Sequence, residues 1–292
     1  MSEQDDIKYG AQVNAIFKET SKKELPLVSI ITIVRNGEKT IERAIQSVLN
    51  QTYKNIEYII IDGASTDGTL GVIKKYAEQV DYWVSEPDEG ISDAFNKGIR
   101  RSHGELIGIL NCDDWYEKNT VYDVVMAYVE DLSVGVVHGN MRLYQDENPI
   151  FIKFPDKDQK KISYLMIYNH STCFVARRCY NKFGLFDKNF KVAMDYDILL
   201  RFYINGVKFH YVEKILSNMA YCGASDKFEI KGLIEIMRAR NKYKYNVHAA
   251  AFWSMVIVKI FKRFIRKILG RENPLLKYIR SFSKDKKVIW GR

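Results

Sequence analysis

The chain has 292 residues, 47% hydrophobic and 28% charged, a balance that suits one large folded domain with appendages and excludes disorder over most of its length. The net charge of +9 is unevenly spread: residues 226–292 hold eighteen Lys or Arg against five Asp or Glu, so residues 1–225 sum to about minus four. Nucleic acid is not the expected partner of that charge, because no RNP, helix-turn-helix or zinc signature accompanies it.

Residues 1–26 are polar without a strong period and read as a leader. They lack a basic region followed by an apolar one, and no run approaches about eighteen uninterrupted apolar residues, so neither an export signal nor a transmembrane span is expected. Leu27 to Val34 is a β-branched run fit for a central strand, and Ile41, Ala44, Ile45, Val48 and Leu49 follow at helical spacing. A second apolar strand, Ile56 to Ile61, ends in Asp62. The turn-rich loop Gly63 to Thr69 comes next, and Leu70, Ile73 and Ala77 open another helix. Within the loop, Asp67 suits an Asx turn or helix cap.

The alternation continues with a strand at Tyr82 to Ser85, a helix at Ile91 to Arg101 and a strand at Leu106 to Leu110. Asn111-Cys112-Asp113-Asp114-Trp115-Tyr116 closes that last strand. Adjacent carboxylates repel unless a cation or proton lies between them. The pair therefore reads either as a solvated turn or as ligands for Mg²⁺ or Mn²⁺, which take oxygen donors and need only one or two protein carboxylates. Strands alternating with helices across short loops imply a mostly parallel sheet flanked by helices, with ligands gathering at the strands' carboxyl ends. Asp62, Glu86, Asp88, Asp113 and Asp114 all fall there, which favours the functional reading. Neither GxGxxG nor GxxxxGK[ST] occurs, so a metal would have to neutralise any bound phosphates.

Further on, Val121, Val124, Val125 and Tyr128 mark a helix, Val134 to His138 a strand, and Gly139 to Lys161 a hairpin and loop. Cys112, Cys173, Cys179 and Cys222 form no CxxC pair and read as reduced thiols in or near the core. The end of the chain is basic and amphipathic. Lys259, Lys262, Arg263, Arg266 and Lys267 recur at helical spacing opposite an aliphatic and aromatic face, a pattern suited to an anionic membrane surface. A helix packed on the main domain or on a partner subunit is the alternative.

Several ordered motifs together resemble family 2 glycosyltransferases of the GT-A fold over residues 27–225, most closely bacterial enzymes that build O-antigen or capsular repeat units. They are Val34-Arg35-Asn36-Gly37-Glu38, Asp62-Gly63-Ala64-Ser65-Thr66-Asp67-Gly68-Thr69, Glu86 through Gly98, and Asn111-Cys112-Asp113-Asp114. His170 to Arg178, Phe183 to Asp187 and Ala193 to Arg201 then resemble the acceptor half.

The resemblance implies an α/β GT-A domain, with a nucleotide-sugar half over 27–116 and an acceptor half over 117–225; the charge pattern adds a basic helical tail over 226–292. It implies that Asp62 contacts uracil, whose imide N–H a carboxylate can accept, with Val34, Asn36, Glu38, Asp93 and Asp113 around the nucleotide. Asp114, with Asp113, would bind Mn²⁺ or Mg²⁺; the acid often found at position 111 is Asn111 here. Asp195 would be the catalytic base, Met194 replacing the family's usual Glu before it. Glu86, Trp115, His170 and Asp197 are further candidate contacts to donor or acceptor, although Asp197 can equally bond Arg201 at i+4.

The expected activity is inverting, metal-dependent transfer from a UDP-sugar to a hydroxyl of a saccharide on polyprenyl diphosphate, at the cytoplasmic face of the membrane. A sugar nucleotidyltransferase is one rival, although it should carry a glycine-rich basic phosphate loop, and none is visible. A non-catalytic membrane or polysaccharide-binding module is the other.

Overall fold

The computed structural model describes residues 25–145, 147–220, 229–245, 248–254, 256–258 and 286–288. Its first half repeats a strand–helix unit: β1 (Val28–Val34), α1 (Ile41–Leu49), β2 (Ile56–Asp62), α2 (Thr69–Lys75), β3 (Tyr82–Ser85), α3 (Ile91–Arg101) and β4 (Leu106–Asn111). All seven residues of β1 are buried, as expected of a strand covered on both faces, which explains its unbroken apolar run. Helix α1 turns Ile41, Ala44, Ile45 and Val48 inward. Helix α3 does the same with Ala94, Phe95, Gly98 and Ile99.

The second half adds β5 (Asp114–Tyr116), α4 (Thr120–Glu130), β6 (Val134–Gln145), β7 (Asn148–Lys153), β8 (Phe174–Ala176), α5 (Arg177–Phe183), α6 (Met194–Ile204), β9 (Lys208–Ala220), α7 (Glu229–Lys242) and β10 (Lys286–Val288). The result is a mixed α/β fold on one sheet of order β10-β7-β6-β8-β4-β1-β2-β3, with β9 beside β6 and β5 beside β9. Strands β3, β2, β1 and β4 run parallel, whereas β8, inserted between β4 and β6, is antiparallel to both.

Register places the chemistry. Val34 lies beside Asp62, Asp62 beside Ser85, and Ile33 beside Asn111, so the polar ends of three strands form one row at the carboxyl edge. The expected strand at Val134 to His138 is in fact twelve residues long and continues to Gln145. Strand β9, not anticipated from sequence, pairs with both β5 and β6 and so joins the sheet to the segment after the Asp pair.

Helix α7 falls in the segment that the sequence division assigns to the tail, yet it packs on the domain. Leu233, Ile236 and Ala239 are buried, and the Arg240 guanidinium lies 4.5 Å from the centroid of the buried Phe252 ring. The cationic residues Lys259, Lys262, Arg263, Arg266 and Lys267, most of the N-terminal leader and Cys222 lie outside the described residues. Cys112, Cys173 and Cys179 are free thiols, the last two buried. Among the described residues no helix is long and apolar enough to cross a membrane.

Candidate active site

The loops after β1 and β2 are laced together residue by residue. Gly63 N–H donates to the Val34 carbonyl at 2.8 Å, Asn36 N–H to Ser65 Oγ at 2.7 Å, and Thr66 N–H to Asn36 Oδ1 at 2.8 Å. Glu38 accepts from Gly68 N–H at 3.1 Å, and Asp67 caps Thr69 as its turn chemistry predicts. Asn36 takes a positive φ of 54°, which asparagine tolerates better than most residues.

Asp62 is the keystone of this rim. Its carboxylate accepts from Ser65 N–H at 3.0 Å, from the Ser65 hydroxyl, and from the Ser85 hydroxyl at 2.6 Å. Three of its roughly four lone-pair directions are thus used, and its exposure is 0%. The fourth direction is the one left for the uracil contact expected from sequence. Here Asp62 ties β2 and β3 to the loop, and a base would lie against that loop.

The chain turns between β4 and β5 at Cys112 and Asp113. Pairing of Asp114 with Met219 of β9 then carries its side chain inward, where it is 1% exposed. Asp114 Oδ2 accepts a long hydrogen bond from Asn111 Nδ2 at 3.4 Å, and Oδ1 has no partner among the described residues. Burial, then the neighbouring Asp113 charge, hold its pKa well above the ordinary carboxylate range. An orphaned oxygen beside a second carboxylate suits an oxygen-preferring divalent cation. Asp113, half-buried at the turn, is the accessible member of the pair. Asp113 at the rim and the orphaned Oδ1 of Asp114 behind it are the two carboxylates on offer to a metal, the pair expected from sequence. Among the described residues no group of three or more His, Cys, Asp or Glu could hold a metal, so phosphate or water must complete any coordination shell.

The acceptor half meets this edge through His170. Its Nε2 lies 3.1 Å from Asn111 Nδ2, and its Nδ1 lies 3.9 Å from Asp195 Oδ2. Burial lowers the imidazole pKa while Asp195 pulls it upward. Asp195 sits in the first turn of α6, where its Oδ1 accepts from Tyr196 N–H at 2.8 Å. Asn111, His170 and Asp195 line one cavity of about 930 Å³, closed by apolar residues from α3, β8 and α6 and by Lys231, Gly232, Leu233 and Ile236 of α7.

Several candidates fall elsewhere. Glu86 pairs with Lys97 at 2.8 Å, and Asp93 with Lys188 at 3.5 Å and Lys97 at 3.8 Å, so both acids brace the start of α3. Trp115 is packed between the Arg43 guanidinium, 3.6 Å from its ring centroid, and Tyr144. Asp197 is fully buried and accepts from Arg201 at 2.9 Å, Lys242 at 3.1 Å and the Tyr243 hydroxyl at 2.9 Å. It joins α6 to α7 and is no acceptor contact, as its spacing to Arg201 allows. Sequence reading missed Lys191 and the whole α7 wall of the cavity. The only local signal was the spacing of Leu233, Ile236 and Ala239.

Comparison with known proteins places these features in a family. The model for "Glycosyl transferase family 2" matches residues 29–190, which takes in the strand-end row and stops short of Asp195. An uncharacterised glycosyltransferase of Rickettsia typhi is 28% identical over 91% of this chain and 87% of its own length. Chondroitin synthase of Escherichia coli is 30% identical over 75% of this chain, which spans only 32% of that longer protein. Among solved structures, TarS 1–349 of S. aureus in complex with UDP-GlcNAc superposes with TM-score 0.57 at 18% identity, covering 73% of this chain and 66% of that one. A mannosyltransferase of Pyrobaculum calidifontis in complex with GDP-Man and Mn²⁺ gives TM-score 0.61 at 17% identity over 89% of this chain and 80% of that one. At such identities the two structures support the fold alone.

Proposed function

The chain belongs to glycosyltransferase family 2, and from that premise we propose that it transfers a sugar from a UDP-sugar to a hydroxyl of a saccharide acceptor, with inversion. The observation that carries the reading is the single cavity bounded by Asn111 at the donor edge and Asp195 at the acceptor edge, with His170 between them. The nucleotide lies along the rim built by Val34, Asn36, Glu38 and the Asp62-held loop. Asp195 takes the acceptor hydroxyl's proton as that oxygen attacks the anomeric carbon, since a neutral hydroxyl is a poor nucleophile. His170 is placed to fix the carboxylate's direction. Asp113, with Asp114 behind it, would hold Mn²⁺ or Mg²⁺, which supplies charge stabilisation for the departing diphosphate. Two proteins of the same fold hold such groups, the mannosyltransferase complex Mn²⁺ and the TarS complex UDP-GlcNAc.

The acceptor is a lipid-linked saccharide met at the inner face of the membrane, in the assembly of a surface polysaccharide. Support comes from the cationic segment after residue 258 and from Trp253 and Ile257, which are 54% and 65% exposed just before it. The test is nucleotide release from a panel of UDP-sugars plus GDP-mannose, with Mn²⁺ and then with chelator. One UDP-sugar should give release that chelator and Asp113→Ala abolish; no release from any donor would end this reading.

A further inference from the structure

We infer that Glu235, on a helix beyond the family match, is a positioning residue that sets the direction of the catalytic carboxylate Asp195. The inference rests on the glycosyltransferase reading of the cavity. Glu235 lies midway along α7 and is 3% exposed, a position that a carboxylate occupies only when it is well paired. Its partners are three successive backbone amides. Oε2 accepts from Lys191 N–H at 3.0 Å, Val192 N–H at 2.8 Å and Ala193 N–H at 2.9 Å, and Oε1 lies 3.1 Å from the Lys191 nitrogen.

Ala193 is the N-cap residue of α6 and has no side-chain oxygen with which to cap it. The first amides of a helix have no partner within it, and its N-terminus carries positive partial charge. Glu235 accepts from the N-cap amide of Ala193 and from the two amides before it, and so fixes from a different helix the segment that enters α6. Asp195 is the second residue of α6, two positions after Ala193. Its own side chain is held only lightly, by Tyr196 N–H at 2.8 Å and by His170 at 3.9 Å. The first turn of α6 therefore determines where the Asp195 carboxylate points, and Glu235 determines where that turn sits. The same helix lines the cavity through Lys231, Gly232, Leu233 and Ile236, so α7 is part of the acceptor site.

The test uses the full-length enzyme, the UDP-sugar selected by the donor panel, and Glu235→Ala, Glu235→Asp and Glu235→Gln. The aspartate withdraws the acceptor by one methylene, whereas the glutamine keeps one oxygen in place. A misplacement of about 1 Å can cost up to about a hundredfold in rate, so kcat for UDP release should fall about tenfold or more in the alanine and aspartate variants. Glu235→Gln should restore most of that kcat, and KM for the donor should stay within about twofold throughout. Ala239→Gly, a buried change on the same helix away from the amides, serves as the stability control and should leave kcat near wild type. Wild-type kcat in Glu235→Ala, or in Glu235→Asp if the alanine variant does not fold, would overturn the inference. So would a loss matched by Ala239→Gly at equal loss of Tm. Absence of UDP release from the wild type would instead refute the glycosyltransferase reading.

Discussion

Asp195 and Asp197 stand two residues apart on α6, and the proposed function gives them opposite work. Replacing Asp197 by Ala removes an acceptor shared by Arg201, Lys242 and Tyr243. Breaking a buried ion pair by deleting one partner costs about 3–5 kcal/mol, chiefly because the remaining charge is stranded. Two features place the loss near the lower end. Arg201 keeps the Phe183 carbonyl at 2.8 Å and the Tyr243 hydroxyl at 3.1 Å, while Lys242 is 37% exposed and keeps Asp187 at 2.8 Å. A loss of about 3 kcal/mol in a protein of this size lowers Tm by on the order of 6–12 °C. Thermal melting of Asp197→Ala should show that drop, while UDP release measured well below Tm keeps kcat within about threefold of wild type. An unchanged Tm with collapsed kcat would refute the structural role assigned to Asp197.

His138 is buried against Tyr168, Phe209 and Tyr211, and neither ring nitrogen has a hydrogen-bond partner among the described residues. Burial, reinforced by His210, pushes its pKa down from 6.5 to about 3, so the unfolded chain takes up the proton first. Stability should therefore fall as pH drops from 6.5 toward 3, by about 1.4 kcal/mol per unit, and His138→Phe should flatten that slope in denaturant titrations; an identical slope would contradict this account. A Cβ added at Gly98 would come 2.3 Å from Ile31 Cγ2, so Gly98→Ala should cost about 1–3 kcal/mol by forcing α3 off β1, and an unmoved denaturation midpoint would count against that packing. Replacing Lys259, Lys262, Arg263, Arg266 and Lys267 together by Glu, which leaves the buried Phe252 and the β10 edge strand in place, should abolish flotation with anionic vesicles while leaving UDP release intact; unchanged flotation would reject the membrane role.

The first half of the fold was legible because its signals are local. β1 to β4 are apolar runs, α1 and α3 carry helical periods, and the acids follow strands whose parallel pairing brings their ends together. Asp195 was singled out by the family resemblance alone, and the structure places it in the first turn of α6. What sequence could not give depends on long-range contact. Asp62 looks like any strand-end acid until Ser65 and Ser85 are seen to hold it. Asp113 and Asp114 are chemically alike, and only the pairing of β5 with β9 buries one and leaves the other accessible. Strand β9 itself alternates charged and apolar residues weakly, and its Ser217 and Asn218 are buried polar positions that blur the pattern. Helix α7 was grouped with the basic tail because charge dominates that stretch, whereas its packing depends on Leu233, Ile236 and a buried Glu235 whose partners lie more than forty residues earlier.

Asp195→Asn bears most directly on the central claim, because it removes the proton acceptor and preserves the side chain's size. The substitution should lower kcat for sugar transfer by about a hundredfold or more, with UDP binding and Tm unchanged, since Asp195 is partly exposed and makes one hydrogen bond within its own turn. Wild-type kcat in a folded Asp195→Asn enzyme would show that the acid at the head of α6 is not the base, and the account of this cavity would fail.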